Sequence, residues 1–305
     1  MMRAGDTVSD GSPIDRKPVV AVVLASGGLK PFSALPLLEF LDRENISVDL
    51  LVGASGGGIL AAMRACGQSC EEIRSQLSEL SHYRVFQRDW RSMLSLFRLP
   101  GGRFDKSSGL FKPDRFRQMC TDCFGEQRLE SLPHKCILQT TDFDTGEGVC
   151  LTRGRLADAV YASMAIHPFL PPIQIDGRWL FDGCFSAPVP IMPAVAFPAD
   201  VIIVLEVLEQ LKSPEHGFQN FMIHTSKIQS QTMLRSQASL SVLLHHHEII
   251  FVKVRFEKYL QIWDFDQLPN ILAAGDTATA KYGDEIQSAI RDFHPRSEAM
   301  QTGGL

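Results

Sequence analysis

The sequence predicts an α/β fold in which helices cover a mainly parallel central sheet. Three observations predict it. Residues 19–25 form a continuous apolar run rich in β-branched side chains, the pattern of a strand buried on both faces. Residues 48–52 form a second, shorter apolar run interrupted by Asp49, and Leu35, Leu38 and Leu41 mark a helix over residues 32–41 between them. Gly53-Ala54-Ser55-Gly56-Gly57 then closes the second run and opens a helix-like stretch, residues 59–65. Strand, helix, strand, helix is how a parallel, helix-covered sheet begins.

The later elements follow in order. Ser69-x-x-Glu72 is a capping box opening a helix. Lys112-Pro113-Asp114 starts another, with proline near its first turn. Residues 135–141 read as a strand, Thr145-Gly146-Glu147-Gly148 as a turn, and residues 149–152 as the returning strand. Residues 156–165 are helical. Residues 173–180 form a hairpin turning at Asp176-Gly177. Residues 201–208 and 249–254 are further β-branched runs, and residues 271–290 a helix weakened by Gly275 and Gly283. No repeat and no Gly-, Ser- or Pro-rich linker divides the chain. One domain is expected over residues 18–292, between a disordered tail, 1–17, and a flexible one, 293–305.

The chain has 305 residues, 45% of them hydrophobic, and a net charge of −5. That balance gives no reason to expect a nucleic-acid partner. No apolar run reaches the length of a membrane span, and residues 1–17 lack the apolar core of a signal peptide. The seven cysteines show no disulfide framework, so reduced thiols in the cytoplasm are expected. Cys120 and Cys123 form one C-x-x-C with no second ligand pair for zinc, and read as half-buried thiols. His245, His246 and His247 are consecutive and cannot all face one metal from a strand or helix. No metal and no cofactor is expected.

Strand, G-x-S-x-G, helix is the setting of a nucleophile elbow. Gly53 and Gly57 have no Cβ, so the chain can close tightly around Ser55. The next helix aims its free N–H groups at the turn, where an oxyanion would form. A serine needs a base. The usual α/β-hydrolase places several strands before its elbow and supplies a later histidine. Here the elbow is on the second strand, and no histidine after residue 200 sits in a persuasive loop. A carboxylate base is the other route, and Asp182 in Phe181-Asp182-Gly183 is the best candidate. Ser26-Gly27-Gly28-Leu29-Lys30, one βα unit earlier, is the candidate oxyanion loop, since paired glycines after a strand can turn consecutive N–H groups toward one anion.

Together these segments resemble the patatin-like phospholipases, whose motifs are a G-G-x-[RK] loop, a G-x-S-x-G elbow and a D-G-[GA] acid. Thr141-Asp142-Phe143-Asp144-Thr145-Gly146-Glu147 resembles the family's T-D-x-x-T-G-E segment. Ala162-Ser163-Met164-Ala165-Ile166 with Pro171-Pro172 resembles its A-S-x-A-I-P-x-x-F-P-P segment. Asp182-Gly183 followed by Pro188-Val189-Pro190 resembles the family's D-G-x-x-x-x-x-P-V ending, and Trp263-Asp264-Phe265-Asp266 with the helix after it resembles the tail of small bacterial members. The likeness covers about residues 18–290. It implies a three-layer α/β/α fold and a serine–aspartate dyad without cofactor. Ser55 would attack an acyl carbonyl, Asp182 would take its proton, and the N–H groups of Gly27 and Gly28 would hold the oxyanion. Lys30 would stand at the family's basic position, facing an anionic head group.

Four departures bear on substrate choice. Ser26 replaces a further glycine, and Pro31 follows the basic residue where glycine is usual. Pro31 biases Lys30 toward extended geometry. Cys184 replaces the small residue of D-G-[GA] and reads as a tolerated neighbour of the acid. His167-Pro168 stands where Pro-Gly is usual, and His167 either caps or packs its loop, lines the acyl pocket or tunes Asp182. Residues 83–104 mix Phe86, Trp90, Phe97 and Phe104 with five arginines. They read either as a helix pair covering the core or as an interfacial segment meeting a membrane peripherally.

The expected function is a cytoplasmic serine acyl hydrolase acting on lipid or other acyl esters. One rival keeps the dyad for thioesters, deacylation or acyl transfer. A second is a silent acyl-binding module. A third uses a later histidine as base.

Overall fold

The computed structural model describes residues 16–80, 87–96, 99–209, 218–244, 248–256, 260 and 264–294. The first units are β1 (Val20–Leu24), a 3-10 turn (Lys30–Ala34), α1 (Leu35–Arg43), β2 (Leu50–Ala54), α2 (Gly56–Ala65) and α3 (Cys70–Leu80). Next come β3 (Gln87–Arg88), α4 (Trp90–Leu96), β4 (Phe111–Lys112), α5 (Asp114–Phe124), β5 (Lys135–Asp142), β6 (Gly148–Leu151) and α6 (Leu156–Met164). The hairpin β7 (Ile173–Ile175) and β8 (Arg178–Asp182) leads to α7 (Met192–Ala196). Then follow β9 (Val201–Glu209), α8 (Phe218–Leu244), β10 (Glu248–Phe256) and α9 (Leu268–Arg291).

The main sheet runs β10-β9-β1-β2-β5-β8-β7, with β6 also paired to β5. Its first five strands are parallel; β6, β7 and β8 pair antiparallel. Val20, Val22 and Leu24 of β1 join one apolar cluster with α1, α2, α6 and α9, while Ala21 and Val23 join a second with α7 and Leu234 of α8. Both faces are covered, which is why the central strands read as unbroken apolar runs rather than alternating ones. The three-layer α/β/α arrangement is therefore observed.

One junction in this sheet positions the site. β2 pairs with β5 up to Ala54 opposite Gln139, and β8 pairs with β5 starting at Asp182 opposite Thr140. Because β6 occupies the opposite edge of β5 at these same residues, β2 and β8 share one edge, end against end. Their last residues meet head-on.

Several boundaries differ from expectation. β2 starts two residues later than the apolar run, because Asp49 turns to accept the Val20 N–H at 2.8 Å. The helix expected over residues 32–41 is divided into the 3-10 turn and α1. Lys30 opens that turn and is not extended; Pro31 sits in its first positions, where a missing N–H costs nothing. The capping box forms as expected, with Ser69 N–H donating to Glu72 Oε2 at 2.7 Å and Glu72 N–H to Ser69 Oγ at 3.2 Å. α8 was not expected. The described part of residues 83–104 is β3 and α4, not a helix pair; Tyr83, Arg84, Phe86, Phe97 and Arg98 lie outside the described residues, as do His245–His247 and Trp263. So do most of both expected tails. Arg16, inside the expected N-terminal tail, makes a two-pronged ion pair with Asp200 at 2.5 and 2.9 Å.

Gly275 explains its own presence in a helix. A Cβ there would lie 2.1 Å from the Ser33 carbonyl oxygen. Helix propensity alone favours alanine by about 1 kcal/mol. The clash reverses the sign, so Gly275→Ala is expected to destabilise the protein by about 1–3 kcal/mol in urea denaturation.

Candidate active site

Ser55 stands between the last residue of β2 and the first of α2, with φ +53° and ψ −125°. A residue with a side chain costs about 1–3 kcal/mol in such a conformation, and only surrounding packing maintains it. That packing is visible in the flanking glycines. A Cβ on Gly57 would lie 2.4 Å from the carbonyl oxygens of Leu24 and Ala25; one on Gly56 would lie 1.7 Å from that of Gly28. The start of α2 thus presses onto the end of β1 and onto the Gly27-Gly28 loop.

The elbow is also tied down by hydrogen bonds. The Ser55 N–H donates to Ser163 Oγ at 3.0 Å, and that hydroxyl donates to the Gln139 carbonyl at 2.8 Å. Ser163 is fully buried on α6. Sequence reasoning met Ser163 only inside the A-S-x-A-I segment and gave it no role. Its place among the apolar residues Val160, Ala162 and Met164 was the signal that it had a partner.

Ser55 Oγ donates to Asp182 Oδ2 at 2.8 Å. The other carboxylate oxygen accepts the Cys184 N–H at 2.8 Å. The main chain of Asp182 is held on both sides: its N–H donates to Ala165 O, and its carbonyl accepts Thr141 Oγ1 at 2.8 Å. Asp182 is completely buried and Ser55 is 5% exposed. Burial pushes the Asp182 carboxyl up to about 6, held back by the bonds from Cys184 and Ser55. Burial, with the neighbouring Asp182, also raises the Cys184 thiol, which stays protonated.

Gly27 and Gly28 have φ of +145° and +63°. Among the described residues no backbone carbonyl takes either N–H, whereas the Ser26 N–H is spent on Pro188 O at 2.7 Å. The structure therefore brings the oxyanion-loop candidates against the elbow. Lys30 is only 5% exposed and is not without an interaction inside the protein. His167 is half-buried between the edges of Phe104 and Phe143, at 5.8 and 5.0 Å between ring centres. Its Nδ1 is buried without a hydrogen-bond partner among the described residues, and burial lowers its pKa. It is a neutral ring in an aromatic chain that continues through Phe143 to Phe181 and Phe185, next to Asp182 in sequence. Cys120 and Cys123 lie on α5, with Cys120 in the core and both thiols raised by burial.

Residues 22–195 match the family model for patatin-like phospholipase, so the chain belongs to the patatin-like phospholipase family. Among curated relatives, an uncharacterized NTE family protein of Mycobacterium tuberculosis is 26% identical over 193 residues, 62% of this chain and 49% of that protein. Human patatin-like phospholipase domain-containing protein 6 is 26% identical over 214 residues, 68% of this chain and 15% of that protein. The chain thus spans half or less of the length of these relatives. Of solved structures, human GIVD cytosolic phospholipase A2 with methyl gamma-linolenyl fluorophosphonate aligns over 90% of this chain and 58% of its own (12% identity, TM-score 0.49). VipD from Legionella pneumophila aligns over 88% and 67% (13% identity, TM-score 0.47).

Two outcomes follow from this geometry. Ser163→Ala leaves the Ser55 N–H buried without an acceptor and is expected to cost about 1–3 kcal/mol of stability in urea. Asp182 has a folded pKa, about 6, above its ordinary 3.8. Its ionisation therefore works against folding, and the stability of the neutral form is lost as pH rises from about 4 through about 6. Asp182→Asn is accordingly expected to gain on wild type over that window, by about 3 kcal/mol at most, in urea melts from pH 4 to 8.

Proposed function

We propose that the protein is a serine acyl hydrolase of lipid or other acyl esters, working through Ser55 and Asp182. The observation that carries this reading is the 2.8 Å bond from a serine hydroxyl on a strained strand-to-helix turn to a buried carboxylate. Asp182 Oδ2 takes the proton as Ser55 Oγ attacks the acyl carbonyl. The charge developing on the carbonyl oxygen meets the N–H groups of Gly27 and Gly28, with that of Gly56 at the start of α2 beside them. Collapse expels the alcohol, which takes the proton from Asp182, and leaves an acyl group on Ser55. Water, deprotonated by the same carboxylate, attacks that ester and restores the serine.

The remaining site residues take supporting roles. Lys30, buried and partnered, holds the oxyanion loop rather than meeting a head group. His167 and its aromatic neighbours supply an apolar wall for the acyl chain. Ser26 and Pro31 leave the loop's φ values suited to anion binding, which weighs against a silent binding module. The partner of Ser55 Oγ is a carboxylate, which weighs against a histidine base.

The test is hydrolysis of a short p-nitrophenyl ester by folded wild type, Ser55→Ala and Asp182→Asn. Each substitution is expected to lower kcat/KM by ~10³-fold or more. Retained activity in Asp182→Asn would remove the dyad. Wild-type kcat/KM is expected to rise with pH and level off above about 6, since the base must be ionised. A parallel set of acyl thioesters decides between oxygen esters and the thioesterase rival.

A further inference from the structure

α8 is built the wrong way round for a helix in water. It is 27 residues long, about 40 Å at the usual rise. Its inner side carries Leu234 and Ala238 against the second apolar cluster, but also the fully buried Ser241 and the half-buried Gln237. Its outer side carries Phe221, Ile228, Leu240, Val242 and Leu243, and Leu244 is exposed at its end. Among the described residues, six of the ten exposed large apolar side chains belong to this one helix. A water-facing surface helix has the opposite pattern.

Three further observations narrow what the outer side faces. First, its hydroxyls are turned inward on themselves. Thr225, Thr232, Ser236 and Ser239 are all exposed, and each donates to the carbonyl four residues earlier, at 3.0, 3.1, 3.2 and 2.9 Å. Donors already satisfied within the helix lose little when water is removed. Second, residues 218–244 contain no Asp or Glu, and the outer side carries Arg235, in a chain whose net charge is −5. Exposed Arg235 lies in the same stripe as Phe221, Ile228 and Val242, seven residues apart each time. Its long stem can follow the apolar surface while its head meets anions. Third, Gln237 Nε2 donates to Ser186 O at 3.0 Å, which joins α8 to the turn that leaves Asp182. No described helix is long and apolar enough to cross a membrane, so this one can lie on a membrane but not span it.

We propose that the outer face of α8 docks the protein on an anionic lipid bilayer. The helix lies in the plane of the interface, with its apolar stripe among the acyl chains and Arg235 at the head groups. A second copy of the chain fits this face less well. A coiled-coil seam through Phe221 and Ile228 would place Thr225, Thr232 and Ser239 at its alternate core positions, where small hydroxyl side chains give poor packing. The proposal rests on the lipid reading of the site for its purpose, but its test is independent of catalysis.

The full chain is floated with vesicles of phosphatidylcholine alone and with about one-third phosphatidylglycerol. Wild type is expected to float with the anionic vesicles and much less with the neutral ones. The double variant Ile228→Asp and Val242→Asp is expected to lose about tenfold or more in partitioning. Its hydrolysis of a soluble ester should stay within about twofold of wild type, since neither residue touches the site. Ser239→Leu, which enlarges the apolar stripe, is expected to bind more tightly, so that misfolding of the acidic variant cannot mimic the result. Failure of wild type to float, or flotation of the acidic variant equal to wild type, would overturn the proposal. So would a wild-type dimer that the acidic pair dissociates in sedimentation. Flotation without any ester hydrolysis would leave the docking face standing and remove the hydrolase reading.

Discussion

Everything at the site depends on the carbonyl edge of β5 at Gln139 and Thr140. β2 stops opposite Gln139 and β8 stops opposite Thr140, from opposite directions. The Gln139 carbonyl accepts Ser163 Oγ, which in turn accepts the Ser55 N–H. The Thr141 hydroxyl donates to the Asp182 carbonyl directly and is itself hydrogen-bonded to Ser186 Oγ at 2.8 Å. Serine and aspartate are therefore referenced to one strand, through main-chain groups. Register in a sheet is all-or-none: a shift of β8 by one residue would turn Asp182 to the other face.

The same junction puts a charge where water is absent. A buried carboxylate costs free energy unless donors surround it. The Ser55 hydroxyl, the Cys184 N–H and the Cys184 thiol donate to Asp182, and its pKa is still raised because burial outweighs them. That imbalance suits the proposed role, because a base held near neutrality accepts a proton more readily than one deep in the acid range. The strained backbone of Ser55 is a second cost at the same point. Both are carried by the apolar layers on either face of the sheet, where β1, β2 and residues 201–205 of β9 are buried.

Much of this was legible in the sequence, for identifiable reasons. β1, and β9 over residues 201–205, are runs whose burial on both sides leaves no polar position to obscure them. The elbow declares itself because only glycine fits beside neighbouring carbonyls. The hairpin before Asp182 is marked by Asp176-Gly177, both of which adopt positive φ. Other features were hidden. That Asp182 would meet Ser55 depends on an antiparallel strand abutting a parallel one, a tertiary fact that no local pattern encodes. Lys30 opens a 3-10 turn and is buried there, although the proline after it biases that position toward extended geometry. α8 escaped notice because its apolar side chains face outward and its inner side mixes leucine with glutamine and serine, so the usual core-facing period is missing.

The bond between Ser55 and Asp182 joins positions 127 residues apart. During synthesis the serine, its turn and its helix emerge long before the carboxylate does. On the proposed mechanism, a nascent chain carries its nucleophile without a base until β8 has been made and has found its place on β5. Contacts that distant form late and together with the rest of the sheet. A dyad of this design would stay chemically silent until the sheet has closed.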